Sequence, residues 1–323
     1  MESVKVAGRR YTDPDVISLI RATGQLVDPR SAVLTQARRL NEQYVSLGGD
    51  GHERFERLKI LASLRGLSVE PMDARQSARE RRDAVLMPTA DGRGKVLYNP
   101  SRHSGRINFS IAHEITHTFF PNSVSGARFR TMCDPGSREA NELERLCDLG
   151  ASEMLMPIDE FGEALGGRFG LEIAEAAMSA FGSSYESTVF RMATAHPRLA
   201  AAGLLRYRYS KEEERALASS RQQRALFEKS ARVKNEAPVR KYRRQSFFMS
   251  DACADKHIIR WNKSFILGSC VYAAGVNGGI HRAEESLPNA AAIVGTLEAI
   301  RAPYQRDEAD PDCGDVLFFW QAK

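Results

Sequence analysis

The sequence has few of the features that mark secreted or membrane proteins. No stretch approaches the roughly 20 consecutive apolar residues that span a membrane, and residues 1–15 carry several charges and no apolar run of signal-peptide length. The cysteines are odd in number and never spaced as CxxC, which argues against a disulfide framework or a thiolate zinc site: Cys133, Cys147, Cys253, Cys270 and Cys313. We therefore expect a cytoplasmic protein in a reducing compartment, with no membrane partner.

The chain is long and apolar enough to form packed cores. It has 323 residues, of which 42% are hydrophobic, and this predicts about two domains with cores of ordinary size. The composition therefore excludes a disordered chain, and its function has to be inferred from motifs.

The most informative motif is His113-Glu114-Ile115-Thr116-His117. Residues four apart lie on one face of a helix, so both imidazoles can bind one zinc ion while Glu114 reaches the neighbouring water as general base. A helix is predicted because apolar and small residues recur at intervals of three and four: Phe109, Ala112, Ile115, Thr116 and Phe119. The motif indicates the chemistry of peptide hydrolysis.

A catalytic zinc needs a third protein ligand and one open position. We expect Glu144 to be that ligand, because it lies 27 residues after His117 in a segment, 139–156, whose residues favour helix. Asp148 follows one helical turn later, where its carboxylate could accept the outer N–H of a ligand imidazole. Glu139 and Glu142 remain alternative ligands.

The loop between these two segments contains Cys133. A thiolate at this position would displace the nucleophilic water from the open zinc position. We therefore also consider a resting state that oxidation of Cys133 would release.

Two separated blocks of the sequence resemble the ImmA/IrrE family of zinc metallopeptidases. The first block is Arg106–Ala112 leading into His113–His117, and the second runs from Glu144–Asp148 to Glu153–Pro157. Two positions depart from the family pattern: Gly150 stands where a bulky aromatic residue is usual, and Thr116 stands where glycine is common. Neither departure removes a ligand.

The resemblance implies one catalytic Zn²⁺ on His113, His117 and Glu144, with Glu114 as the catalytic base. It also implies a mainly helical, zincin-like metallopeptidase core with a small β-hairpin or sheet. The implied substrate is a protein, typically a helix-turn-helix transcriptional repressor encoded nearby, whose cleavage switches on stress or mobile-element genes. The substrate's identity and the oligomeric state are not encoded in any recognisable motif.

The sequence pattern predicts an α+β fold in four segments. Residues 1–75 are expected to form helices that pack on the core, and residues 76–205 are expected to be the metallopeptidase core. Residues 206–240 would be a basic helical connector, and residues 241–323 a C-terminal sensor or substrate-recognition domain of α/β or mostly β type. In that last segment, strand-like runs occur at 265–271, 291–294 and 316–320.

Two sets of residues are candidates for handling the substrate. Ala84–Met87 and Lys95–Tyr98 are predicted to pair as strands across a turn at Asp91-Gly92, and Val96, Leu97 and Tyr98 could bind an extended substrate if their strand is an edge. An ordinary hairpin edge is the alternative. A second group that stabilises the oxyanion is expected among four residues: Tyr98, His103, Tyr185 and His196.

Two further patterns leave DNA binding open as an alternative. Leu171–Phe181 and Tyr185–Ala195 are predicted helices around a Gly-Ser-Ser turn, which fits either a helix-turn-helix reader or support for the core. The second helix has too few cations for phosphate contacts, so support is preferred. Residues 206–244 carry 13 Lys and Arg against 5 Glu, which fits a solvated helix or a surface that meets nucleic acid. The alternative function is a non-catalytic regulator that binds DNA or a partner protein around a structural zinc.

Overall fold

A computed structural model divides the chain into two compact units. The first unit comprises residues 1–166 and 176–187, and the second comprises residues 167–175 and 188–323. Within the part of the chain that the structure describes, every helix is too short or too polar to span a lipid bilayer. The described residues are 2–24, 27–49, 51–73, 75, 77, 83–89, 93–121, 138–226, 239–253, 263–288, 293–303 and 313–323, with the backbone alone at 138–141 and 220–226.

The secondary structure is mixed α+β, as the sequence predicts. The described helices are α1 (Pro14–Ala22), α2 (Pro29–Ser46), α3 (Arg54–Leu64), α4 (Ser104–His117), α5 (Arg138–Leu155), α6 (Ile158–Leu165), α7 (Leu171–Phe181), α8 (Tyr185–Ala195), α9 (Lys211–Leu226) and α10 (Cys270–Asn277). The described strands are β1 (Val4–Val6), β2 (Arg9–Tyr11), β3 (Leu67–Pro71), β4 (Ala84–Pro88), β5 (Gly94–Tyr98), β6 (Ala200–Arg208), β7 (Lys241–Met249), β8 (Ile280–Ser286), β9 (Val294–Arg301) and β10 (Val316–Ala322).

The helix that carries the metal motif forms where the sequence predicts it. The Nδ1 atom of His103 accepts the N–H of Gly105 at 3.2 Å and so caps the first turn of α4. Ile111, Ala112 and Ile115 are fully buried on one face, which packs α4 against α3 and α5.

The three-stranded sheet of the first unit corrects the predicted substrate strand. β5 pairs with β4 in antiparallel fashion, as the sequence predicts, but it also pairs with β3 in parallel, so the strand order is β3-β5-β4. The prediction that Val96, Leu97 and Tyr98 form an edge is therefore wrong, because β5 is central and has a partner on both sides. The edges are β3 and β4, and the predicted turn at Asp91-Gly92 lies outside the described residues.

The second unit is built on a five-stranded antiparallel sheet in the order β7-β6-β10-β9-β8. Its core includes the buried aromatic rings of Tyr242, Phe318 and Trp320. β10 confirms the strand predicted at 316–320, and β9 begins at Val294, the last residue of the predicted run 291–294. The strand predicted at 265–271 is wrong: α10 begins at Cys270, and the apolar side chains that suggested a buried strand, Ile266 and Leu267, are exposed.

Two carboxylates hold the start of α1 in place. Asp13 caps α1 by accepting the N–H groups of Asp15 and Val16 at 2.8 and 3.1 Å. Glu142 of α5 accepts the N–H groups of Thr12 and Asp13 at 2.9 and 3.2 Å. Burial raises the pKa of Asp13 to about 6, against the opposing effect of its two N–H partners, and the charges of Asp15 and Glu142 add to the rise.

We expect Asp13→Asn to stabilise the protein at pH 8 by about 1–2 kcal/mol, because asparagine keeps the capping oxygen and removes a buried charge. The folded protein binds the Asp13 proton more tightly than the unfolded chain does. The stability that the wild type gains from protonated Asp13 is therefore fully present below about pH 4 and is lost as the pH rises through about 6. Urea unfolding at pH 4 and pH 8 would measure it, with Asp15→Asn as the control. An equal effect of Asp13→Asn at both pH values would contradict the assignment.

Candidate metal centre

Two imidazoles of α4 face each other across one helical turn. The Nε2 atoms of His113 and His117 are 3.2 Å apart. His117 is buried and His113 is half-buried. Both rings therefore present their ε nitrogens to the same point.

α5 brings a carboxylate to that point. Glu144 places Oε2 at 3.2 Å from the Nε2 of His113 and Oε1 at 3.9 Å from the Nε2 of His117. Ligand atoms at 2.0–2.1 Å from one zinc ion, in tetrahedral geometry, lie about 3.3 Å apart. Both distances from the Nε2 of His113 match this spacing, and the distance between Glu144 and His117 is about 0.6 Å longer. The Glu144 side chain is 40% exposed, so solvent can reach the centre from this side.

The predicted supporting carboxylate lies behind His113. Asp148 places Oδ1 at 2.9 Å from the Nδ1 of His113, one helical turn after Glu144 on α5. An imidazole that binds a metal through Nε2 carries its proton on Nδ1 and needs an acceptor there. Asp148 is placed to be that acceptor.

Cys147 also contacts the centre, although no sequence motif assigns it a role. Its Sγ atom lies 3.4 Å from the Nδ1 of His117, and the residue is fully buried. His113, His117 and Cys147 offer ligand atoms that all lie within 4.8 Å of one another, which is a looser set than the one formed with Glu144. Cys147 lies three residues after Glu144, and this spacing predicts that the two side chains share a face of α5. That spacing is the signal that could have identified Cys147.

Of the two alternative ligands, Glu139 and Glu142, the structure describes the side chain of Glu142 alone. One carboxylate oxygen of Glu142 accepts the main-chain N–H groups of Thr12 and Asp13 and so attaches α5 to the start of α1. The side chain of Glu139 and the whole of Cys133 lie outside the described residues.

Glu114, the predicted base, is buried between α4 and the edge strand β4. Only 4% of the residue is exposed, and its Oε2 accepts the main-chain N–H of Leu86 at 3.0 Å. Glu114 is adjacent in sequence to His113, and its carboxylate is held by a strand that is an edge of its sheet among the described residues. A peptide lying along that edge would pass beside Glu114.

The four candidates for stabilising an oxyanion lie in different places. His103 caps α4, and Tyr98 ends β5 with its ring packed edge-on against Phe55. Tyr185 is the half-buried first residue of α8. His196 belongs to the second unit, where its two nitrogens contact the main chain of Arg198 and the side chain of Gln321, and burial lowers its pKa. The role of these four residues in stabilising an oxyanion stays a prediction.

The charges around the centre favour a cation. Burial by itself lowers the pKa of His113. The hydrogen bonds to Asp148 and Glu144, with the charges of Asp148 and Glu114, outweigh burial and raise this pKa to about 10. A proton and a divalent cation therefore compete for the same nitrogen.

The two residues that depart from the family pattern, Gly150 and Thr116, face each other between α4 and α5. A Cβ atom added at Gly150 would lie 2.5 Å from the Cγ2 of Thr116 and 2.9 Å from the Cγ1 of Val33. Thr116 is fully buried in the contact between α4 and α5. The threonine therefore fills the space that a larger residue at position 150 would take, and the two positions are matched to each other.

We expect Gly150→Ala to destabilise the protein by about 1–3 kcal/mol through this clash, although alanine favours helix over glycine. In a Thr116→Ala background the same substitution should cost less, because the closest contacting atoms are gone. Gly162→Ala on α6 is the matched control, since nothing lies within 4 Å of its added Cβ. Urea unfolding of the four combinations would measure the coupling, and simple additivity would contradict it.

We expect zinc binding to release about one proton at pH 7 and to strengthen as the pH rises, because His113 has to lose its proton first. Calorimetry in two buffers that differ in ionisation enthalpy would count the protons. Asp148→Asn should reduce the release by lowering the pKa of His113. Binding without proton release at pH 7 would contradict the raised pKa.

Comparison with known proteins supports the family predicted from the motifs. Residues 65–193 match the peptidase family described as the IrrE N-terminal-like domain. No curated protein matches the sequence. A solved structure of a Mycobacterium tuberculosis transcriptional regulator is similar in fold, with a TM-score of 0.51 and 13% identity over 95% of this chain and 93% of that one. Both blocks of the motif fall within the matched region, and this match of residues 65–193 supports the ImmA/IrrE family that the motifs indicate.

Proposed function

We propose that this protein is a cytoplasmic zinc-dependent metalloendopeptidase. A metallopeptidase-type function is what its family suggests. The observation that carries the proposal is the spacing of three ligand groups beside a buried glutamate: the ε nitrogens of His113 and His117 and the carboxylate oxygens of Glu144 lie 3.2–3.9 Å from one another. A half-exposed ligand carboxylate leaves room for water and substrate to approach.

Each residue of the centre would have a separate role in the proposed hydrolysis. Zinc bound by the two histidines and Glu144 would supply Lewis-acid activation of a water molecule and of the scissile carbonyl group. Glu114 takes the proton of the attacking water on its carboxylate and passes it to the nitrogen of the leaving amine. Asp148 holds the proton on the Nδ1 of His113, which keeps Nε2 available as a ligand.

The substrate that we propose is an extended segment of a protein lying along β4. This strand is an edge of its sheet, and the N–H of Leu86 points outward to Glu114. An extended peptide can add to such an edge through main-chain hydrogen bonds. We further propose a helix-turn-helix repressor as the protein cleaved, on the family resemblance, which is in keeping with a structural neighbour described as a transcriptional regulator.

A second candidate function is supported by Cys147. If its sulfur became a fourth protein ligand, the metal site would be closed and would serve structure, as in a regulator that binds DNA or a partner protein. The looser spacing of the set that contains Cys147 favours the peptidase. In the described residues, the α7–α8 turn also packs on α4, where Asn108 donates to the carbonyl of Gly182 at 2.8 Å. That contact supports a structural role for this helix pair.

We expect Glu114→Gln to keep one zinc ion per chain and to lose about 10²–10⁴ in cleavage rate, because the amide cannot accept the water's proton. His113→Ala should lose the metal itself. The assay is cleavage of a helix-turn-helix protein encoded beside the gene, with zinc measured by elemental analysis.

The matched control is Glu163→Gln, an exposed glutamate on α6. Unchanged cleavage by Glu114→Gln would show that the base is wrongly assigned. Zinc binding without cleavage by the wild type, across repressors and peptides of varied sequence, would favour the non-catalytic regulator.

A further inference from the structure

The two imidazoles of the candidate centre are supported differently. His113 has a carboxylate at its outer nitrogen, whereas the outer nitrogen of His117 faces a thiol. The distances are 2.9 Å from the Nδ1 of His113 to Asp148 and 3.4 Å from the Nδ1 of His117 to the sulfur of Cys147. If His117 binds a metal through Nε2, its Nδ1 carries a proton in a buried position, where a missing acceptor would be costly.

The position of Cys147 on α5 fits the role of acceptor. Glu144, Cys147 and Asp148 lie within about one turn of the helix, so one short segment meets both imidazoles. Cys147 is fully buried and His117 is nearly so. A thiol sulfur is a weak hydrogen-bond acceptor, so the contact should hold the ring less firmly than a carboxylate does.

We propose that Cys147 is a positioning residue for the candidate metal centre. Its sulfur accepts the Nδ1–H of His117 and holds the ring with Nε2 directed at Glu144, as Asp148 does for His113. This inference rests on the proposed metal site but not on peptide hydrolysis. It assigns all three residues of the α5 segment: one binds the metal and two orient its histidine ligands.

The geometry separates this role from direct metal binding. The Nδ1 and Nε2 atoms of an imidazole bind their partners in strongly diverging directions, and the Nε2 of His117 faces His113 and Glu144. The sulfur contacts the other nitrogen. To share a zinc ion with the ε nitrogens, it would have to lie about 3.5 Å from each of them. A supporting thiol leaves the fourth metal position for water, which a catalytic site requires.

The test compares zinc affinity among variants of the full chain under reducing conditions. Cys147→Ala removes the acceptor and should weaken zinc binding by about 10–100-fold, while Cys147→Ser retains an acceptor and should recover most of the loss. Cys253→Ala is the control, because Cys253 is an equally buried thiol in the second unit. Chelator competition would give the affinities. Equal affinity in the wild type and Cys147→Ala would overturn the proposal.

Two spectroscopic measurements distinguish support from ligation. Cobalt-loaded wild type should lack a sulfur-to-metal charge-transfer band; a band that disappears in Cys147→Ala would make the cysteine a ligand and overturn the proposal. Nitrogen NMR of zinc-loaded wild type should show His117 protonated at Nδ1, and a proton on Nε2 would overturn it without any variant. A wild type that cleaves nothing would refute the peptidase, yet the difference in zinc affinity would still stand. A wild type that binds no zinc would refute the metal site itself.

Discussion

The candidate metal centre depends on how closely α4 and α5 approach each other. The histidines come from α4 and the ligand carboxylate from α5, so a small change in the spacing of the helices would separate the ligand atoms. Gly150 permits the approach because no side chain stands between its backbone and Thr116. Neighbouring contacts hold both helices in place: Arg65 donates to the carbonyl of Thr118 just after α4 ends, and Glu142 attaches α5 to the start of α1.

The same packing places several acidic groups around two imidazoles. In water these carboxylates would repel one another only weakly, but in a partly buried site their charges raise the proton affinity of His113. A divalent cation would neutralise that excess of negative charge more completely than a single proton does. The cluster is thus poorly explained as a structural feature alone, whereas it is well suited to a bound cation.

Local sequence patterns were sufficient to predict the helices of the site and the side chains that meet there. α4 and α5 form where apolar spacing and helix-favouring residues predict them, and the structure brings His113, His117, Glu144 and Asp148 together. Pairing between distant segments was not predictable. β3 lies parallel to β5 and makes it a central strand, and the sequence of Leu67–Pro71 contains no signal of that partnership.

Two other errors have a similar physical origin. The apolar run around Ile266 resembles a buried strand, because local hydrophobicity does not reveal which residues the rest of the fold will cover. No motif assigns Cys147 a role, and a single buried cysteine is usually only a small apolar residue. Its contact with His117 depends on the rotation of α5 about its axis, which tertiary packing decides.

The fit between Gly150 and Thr116 also restricts how this sequence can change over time. If an ancestor had a large residue at 150 and glycine at 116, the order of the two substitutions leading to this chain would matter. Enlarging residue 116 first would force two side chains into one space, whereas shrinking residue 150 first would open a cavity between the helices. The less damaging route passes through a small residue at both positions. Such an intermediate would be less stable but would retain every proposed metal ligand. The substitutions would therefore lower the free energy of unfolding without removing the metal site.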